Sequence, residues 1–184
     1  MTEQAVGYGK FSPYPNLLIP KLPPSFDREE VYVGIDPGAS GAIAFLGEDG
    51  GLNEVFDCPD SPYDLWSILR VRGHIDVRLA VIEKVSAMPK QGVVSMFKFG
   101  TNFGMWQMAA AAMRWPYELI TPQRWRKSLD SAVPAKPTKE DLRQYAIRIW
   151  GSHALTRKKD EGRAEAMLIA RYARIKHLGL REAL

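Results

Sequence analysis

Four acidic residues stand where an acid is costly. Asp36 closes the apolar run Val31-Tyr32-Val33-Gly34-Ile35, and Glu83 closes Val77-Arg78-Leu79-Ala80-Val81-Ile82. Both runs are short and rich in strand-forming residues, the pattern of buried strands. A carboxylate at such an end is unfavourable unless it is paired or binds a cation. Asp36 also has a local use, since Asp caps turns through its own backbone. Glu165 falls one turn into an apolar helix, between Ala164 and Ala166. Asp160 stands near that helix's start, where an N-cap carboxylate is favoured. Positions 161 and 165 share a helix face, whereas 160 and 165 lie about 140° apart. Helix geometry alone therefore pairs Glu161 with Glu165. Asp160 joins Glu165 only from the cap, where the chain leaves helical geometry.

Carboxylates are the usual protein ligands of hard divalent cations. Two Mg²⁺ ions about 4 Å apart can clamp the attacking and leaving oxygens of an in-line phosphoryl displacement. That chemistry needs no histidine or cysteine. The single cysteine, Cys58, excludes an internal disulfide and a cysteine-based zinc site, and His74, His153 and His177 lack metal-ligand spacing. The run Arg157-Lys158-Lys159 beside Asp160 can hold a nucleic-acid strand by its phosphates. Lys90, Gln91 and Lys98, interleaved with Phe97, Phe99 and Phe103, can place amines on phosphates and rings under bases. Each of these aromatics can equally be core.

Charge is distributed unevenly. Residues 1–120 carry 10 Lys/Arg against 14 Asp/Glu, net −4, while residues 121–184 carry 15 against 7, net +8. A basic half points to a polyanion, most simply nucleic acid. Four acids, a basic half and an aromatic–basic segment together indicate metal-dependent cleavage of a nucleic-acid backbone. No apolar run approaches a membrane span, and the first residues lack the basic start and apolar core of a secretory signal. The expectation is a cytoplasmic protein without a signal or transit peptide.

The elements that must position these acids follow from spacing. Pro37-Gly38-Ala39-Ser40-Gly41 between two apolar runs predicts an antiparallel hairpin over 31–45. A third strand is expected over 52–58. A short helix capped by Asp60 or Ser61 follows, with Leu65, Trp66, Ile68 and Leu69 inward. Residues 77–83 and 117–120 are further strands. Residues 105–113 read as a helix buried on most sides, preceded by an irregular Gly- and Phe-rich stretch. Thr121 and Thr138 cap the next helices, the second with Leu142, Tyr145, Ile149 and Trp150 at helical spacing. The last helix begins near Asp160. Residues 1–28, with Pro13, Pro15, Pro20, Pro23 and Pro24, read as a proline-rich arm. The domain proper is 29–184.

Gly34-Ile35-Asp36-Pro37-Gly38, followed by Ser40-Gly41-Ala42, resembles the first motif of RuvC-like Holliday-junction resolvases. Val81-Ile82-Glu83-Lys84 resembles their second acidic strand. Three more segments are similar to the phage, bacterial and chloroplast branch: Met88 to Trp106, Thr121 to Lys127, and Arg157 to Ala166. The resemblance runs from about residue 31 to 173. It implies an α/β, RNase H-like fold, a five-stranded mixed sheet flanked by helices. It also implies a homodimer that nicks four-way DNA junctions symmetrically, with Mg²⁺ or Mn²⁺, two per site. The implied catalytic and metal-binding acids are Asp36, Glu83, Asp160 and Glu165, with Asp160 preferred to Glu161. The implied DNA contacts are Lys84, Lys90, Gln91, Phe97, Lys98, Arg124, Arg157, Lys158 and Lys159. The final acid pair is spaced differently from the bacterial form and ends in Glu rather than Asp.

Other readings use the same residues. The first motif also resembles the phosphate loop of sugar kinases and actin-like ATPases, but 184 residues is short for their two duplicated domains. Another RNase H-like nuclease, cutting hybrids or other branched DNA, would need the same acids. A non-catalytic junction-binding protein would need only the basic surface.

Overall fold

A computed structural model of the chain describes residues 28–38, 40–72, 75–84 and 92–180. The proline-rich arm, Lys90 and Gln91 lie outside the described residues. Strand β1 (Glu29–Asp36) turns through Pro37–Gly41 into β2 (Ala42–Gly47), and the two pair antiparallel with Asp36 opposite Ala42. Strand β3 (Leu52–Asp57) continues antiparallel on β2, with Asp57 also opposite Ala42. On the other side of β1, β4 (Ile75–Glu83) runs parallel to it with Ile35 opposite Ile82. Strand β5 (Tyr117–Ile120) runs parallel to β4, with Glu83 opposite Ile120. The sheet order is β3-β2-β1-β4-β5. Asp57, Ala42, Asp36, Glu83 and Ile120 thus line one edge of the sheet.

Helices cover both faces, which is why the central strands read as continuous apolar runs rather than alternating ones. On one face lie α1 (Pro62–Leu69) and α2 (Val93–Ala112), packed through Leu65, Leu69, Trp106 and Ala110 onto Val33, Ile35 and Ile82. On the other lie α3 (Pro122–Arg126), α4 (Lys139–Trp150) and α5 (Glu161–Leu178), around Tyr32, Val81, Trp125, Leu142 and Met167. Ser61 caps α1, and Thr138 with Asp141 forms a complete capping box on α4. Among the described residues no helix is long and apolar enough to cross a membrane.

Three local expectations differ from the structure. Trp66 is 54% exposed rather than inward. The Gly- and Phe-rich stretch is helical from Val93 on. Gly100 and Gly104 each cost about 1 kcal/mol of helix propensity, yet anchors one and two turns later override them. The same helix is the reverse of buried, since only Trp106, Ala109 and Ala110 are fully covered.

Candidate active site

Side chains alternate along a strand, so Tyr32, Gly34 and Asp36 face one way, as do Leu79, Val81 and Glu83. Tyr32, Leu79 and Val81 belong to the core under α4 and α5, so Asp36 and Glu83 project toward α5 from neighbouring parallel strands. Gly34 lets α5 come close. A Cβ there would overlap the Ala166 carbonyl and the Ala170 amide. Gly162 does the same at the helix start, where a Cβ would overlap the Ser40 carbonyl. Glu165, in the turn between these two contacts, is thereby brought over the strand ends and is buried.

The three acids feel one another. Burial pushes the Asp36 carboxyl up to about 6, and the charge of Glu165 adds to it against the Gly38 hydrogen bond, Lys139 and Arg126. Burial likewise pushes Glu83 up to about 7, reinforced by Asp36 and Glu165 and opposed by Trp125 and Arg126. Each carboxylate has one oxygen held. Gly38 N–H donates to Asp36 Oδ1 at 3.0 Å, Trp125 Nε1–H to Glu83 Oε1 at 2.7 Å, and Arg126 Nη2 to Glu165 Oε1 at 2.7 Å. Lys139 Nζ lies 4.0 Å from Glu165 Oε2.

This donor set suits a hard divalent cation. It is all oxygen, and burial with the neighbouring carboxylates raises the Asp36 and Glu83 carboxyls, a strain that a cation would relieve. Among the described residues no three acids are already drawn together at metal-ligand spacing. Glu165 is hydrogen-bonded to Arg126 and Glu83 to Trp125.

Asp160 takes different partners. It is only 1% exposed. Its oxygens accept from the Arg157 N–H and Nε, both at 2.7 Å, and Arg163 lies 3.9 Å away. Arg157 and Arg163 also grip Asp57, at 3.0 and 2.5 Å. Burial opposes the charge on Asp160, but the Arg157 hydrogen bonds outweigh it and hold the carboxyl below its ordinary range. Asp57 ends β3, two strands from Asp36, and two strand spacings are about 10 Å. Asp160 is not among the principal influences on Asp36 or Glu83. Asp160 therefore pairs with arginines, while Asp36, Glu83 and Glu165 influence one another. Glu161 opens α5, half-buried, one turn before Glu165.

Of the expected DNA contacts, Lys84, Phe97, Lys98, Arg124, Lys158 and Lys159 are exposed, Phe97 at 77%. Arg157 is committed to Asp160 and Asp57. Sequence reasoning missed Trp125, Arg126 and Lys139 as partners of the acids. Trp125 and Arg126 had a signal, in that α3 directly follows the strand beside Glu83. Lys139 had none, because its role depends on how α4 returns to the site.

No family model matches the chain, and no curated protein matches it. Solved structures do. The chain matches a Thermus thermophilus RuvC structure with a TM-score of 0.57 and 19% identity, over 84% of this chain and 99% of that one. The fold is thus the RNase H-like α/β fold, in the form of a five-stranded mixed sheet flanked by helices. A second match is T. thermophilus RuvC in complex with Holliday junction substrate, with a TM-score of 0.56 and 18% identity over the same 84% and 99%. The chain is RuvC-like in fold, and at these identities the likeness is one of fold.

Proposed function

We propose that residues 29–184 form a divalent-metal-dependent endonuclease that resolves four-way DNA junctions by paired phosphodiester hydrolysis. The observation that carries this reading is the convergence of Asp36, Glu83 and Glu165 at one sheet edge, in a fold shared with a resolvase solved on its junction. Asp36, Glu83 and Glu165 would hold Mg²⁺ or Mn²⁺, which supplies an activated water and neutralises charge on the leaving 3′ oxygen. Asp36 and Glu83, on adjacent strand ends, fix where the scissile phosphate must lie. Glu165 closes the site from α5. Arg126 and Lys139 stand beside the acids and can receive a phosphate oxygen. Exposed Lys84, Lys98, Arg124, Lys158 and Lys159 would track the backbone, with Lys90 and Gln91 from the preceding segment and Phe97 stacking on a base.

Symmetric nicking needs two sites, so the working unit is a homodimer in the cytoplasm. Its seat is the groove where Met105, Met108 and Ala109 of α2 face Leu65, Trp66 and Leu69 of α1. No charged residue among the described ones lines that groove, which suits a second copy of the chain rather than a polyanion.

The test is cleavage of a synthetic four-way junction beside linear duplex and RNA–DNA hybrid, in Mg²⁺ and in EDTA. Paired symmetric nicks confined to the junction with metal are expected. Cutting of the hybrid instead would assign a different RNase H-like nuclease. Tight junction binding without a cut would leave a binding protein.

A further inference from the structure

The turn that carries Asp36 is held from several sides. Within it, Gly41 N–H donates to the Gly38 carbonyl at 2.9 Å. Cys58, just past β3, donates its N–H to the Gly41 carbonyl at 2.9 Å and its thiol to the Asp36 carbonyl at 3.2 Å. Helix α5 presses Gly162 on Ser40 from one face of the sheet. From the opposite face, among the described residues, comes one side-chain bond. Asn102 of α2 donates its Nδ2 to the Pro37 carbonyl at 2.8 Å, across 65 residues of chain.

That carbonyl belongs to the residue directly after Asp36. Pro37 has no N–H, so its carbonyl is the only main-chain group of that residue a donor or acceptor can hold. The Asn102 side chain and the indole N–H of Trp106, one helical turn on, both reach the Cys58 thiol. Asn102 thus touches the turn twice, at the Pro37 carbonyl and at the thiol that donates to the Asp36 carbonyl. Asn102 is also where α2 meets the catalytic turn. The same helix carries exposed Val93, Val94, Phe97 and Met108.

We propose that Asn102 is a positioning residue that ties the Asp36 turn to α2, so that the helix which meets DNA or the second copy also sets the aim of the Asp36 carboxylate. This rests on the metal-dependent reading above. Partners behind metal ligands typically change metal affinity by about 10- to 100-fold when removed. Contacts to phosphates, which dominate DNA affinity, are untouched by Asn102.

The experiment compares wild type with Asn102→Leu, which keeps size and loses the donor. Asn102→Ala is the second variant, because it cannot overpack. Melting temperature, Mn²⁺ binding by calorimetry on the metal-free dimer, and junction affinity in EDTA are measured on each. In a folded variant, Mn²⁺ affinity is expected to fall about 10-fold or more. Junction affinity should stay within about twofold of wild type. A lower melting temperature with unchanged Mn²⁺ affinity would make Asn102 merely structural and overturn the proposal. Equal loss of junction and Mn²⁺ affinity would overturn it as well. A wild-type protein that binds no Mn²⁺ and cuts no junction would instead overturn the metal reading, and this inference with it.

Discussion

Arg126 holds Glu165 by a 2.7 Å hydrogen-bonded ion pair, inside a cluster whose other two acids make no ion pair among the described residues. The guanidinium is one-third exposed and the carboxylate is nearly enclosed, so Glu165 depends on it more than the reverse. Without Arg126, Lys139 would be the one cation left paired with Glu165 among the described residues. Arg126→Gln should therefore destabilise the metal-free protein by roughly 1–3 kcal/mol, the usual consequence of stranding a buried charge. Mg²⁺ bound by the same carboxylates would replace the lost charge. Urea unfolding in EDTA and in saturating Mg²⁺ should show a large loss in the first and a small one in the second. Equal losses would mean that Arg126 and the metal serve different groups.

The raised acids predict an unusual pH dependence. Asp36 moves from 3.8 to about 6, and Glu83 from 4.5 to about 7. A carboxyl whose pKa is raised by folding favours the folded state fully below its unfolded value and loses that contribution as pH rises through the folded one. Each pKa unit corresponds to about 1.4 kcal/mol. Metal-free protein should therefore lose stability between about pH 4 and pH 7. Asp36→Asn, which keeps an oxygen for the Gly38 N–H, should flatten that decline and be more stable than wild type at pH 8 in EDTA. The same variant should abolish cleavage and leave junction binding nearly intact, because the basic surface supplies the affinity. Thermal melts across pH with both proteins check the first part. A wild-type curve parallel to that of Asp36→Asn would show that Asp36 is charged throughout.

Most of this site was legible because strand ends are legible. Asp36 and Glu83 each close an apolar run, and the turn residues between Pro37 and Gly41 define the hairpin without any tertiary knowledge. Glu165 stood out as an acid among alanines on an apolar helix. What the sequence withheld is where chains cross. Arg126 and Lys139 reach Glu165 from helices that precede it by 39 and 26 residues. The extent of α2 was hidden because Gly100 and Gly104 argue locally against a helix, whereas Trp106 and Ala110 fix it on the sheet.

Asp160 shows the same limit. An acid at a helix start looks the same in sequence whether it serves a metal or neighbouring arginines. Here it joins Arg157, Arg163 and Asp57 in a network that fastens the start of α5 to the end of β3. Asp160→Asn should lower the melting temperature while leaving measurable Mg²⁺-dependent cleavage. Because Asp57 and Asp160 are both held below their ordinary range, this network acts above about pH 4 and fails as acid protonates it, opposite in sign to the Asp36 pair. Glu161→Gln, one turn from Glu165 and outside the network's bonds, should spare stability and weaken cleavage. The two variants assayed side by side separate the roles. Full loss of cleavage at unchanged stability for Asp160→Asn would return Asp160 to the metal.

The approach of α5 to β1 gives the last prediction. Gly34 meets the backbone of Ala166 and Ala170, which cannot rotate aside as a side chain can. Gly34→Ala must lift the helix, and overpacking of this kind costs about 1–3 kcal/mol. Glu165 rides on that helix, so the same displacement carries it off Asp36 and should reduce Mg²⁺-dependent cleavage in protein that remains folded. Gly100 is the control. A Cβ there meets nothing within 4 Å, so Gly100→Ala should stabilise by up to about 1 kcal/mol through helix propensity. Denaturant unfolding of both variants reads the two signs. If Gly34→Ala proves neutral, α5 does not lie as close to β1 as the structure has it, and the packing that gathers Glu165 with Asp36 and Glu83 would have to come from elsewhere in the helix.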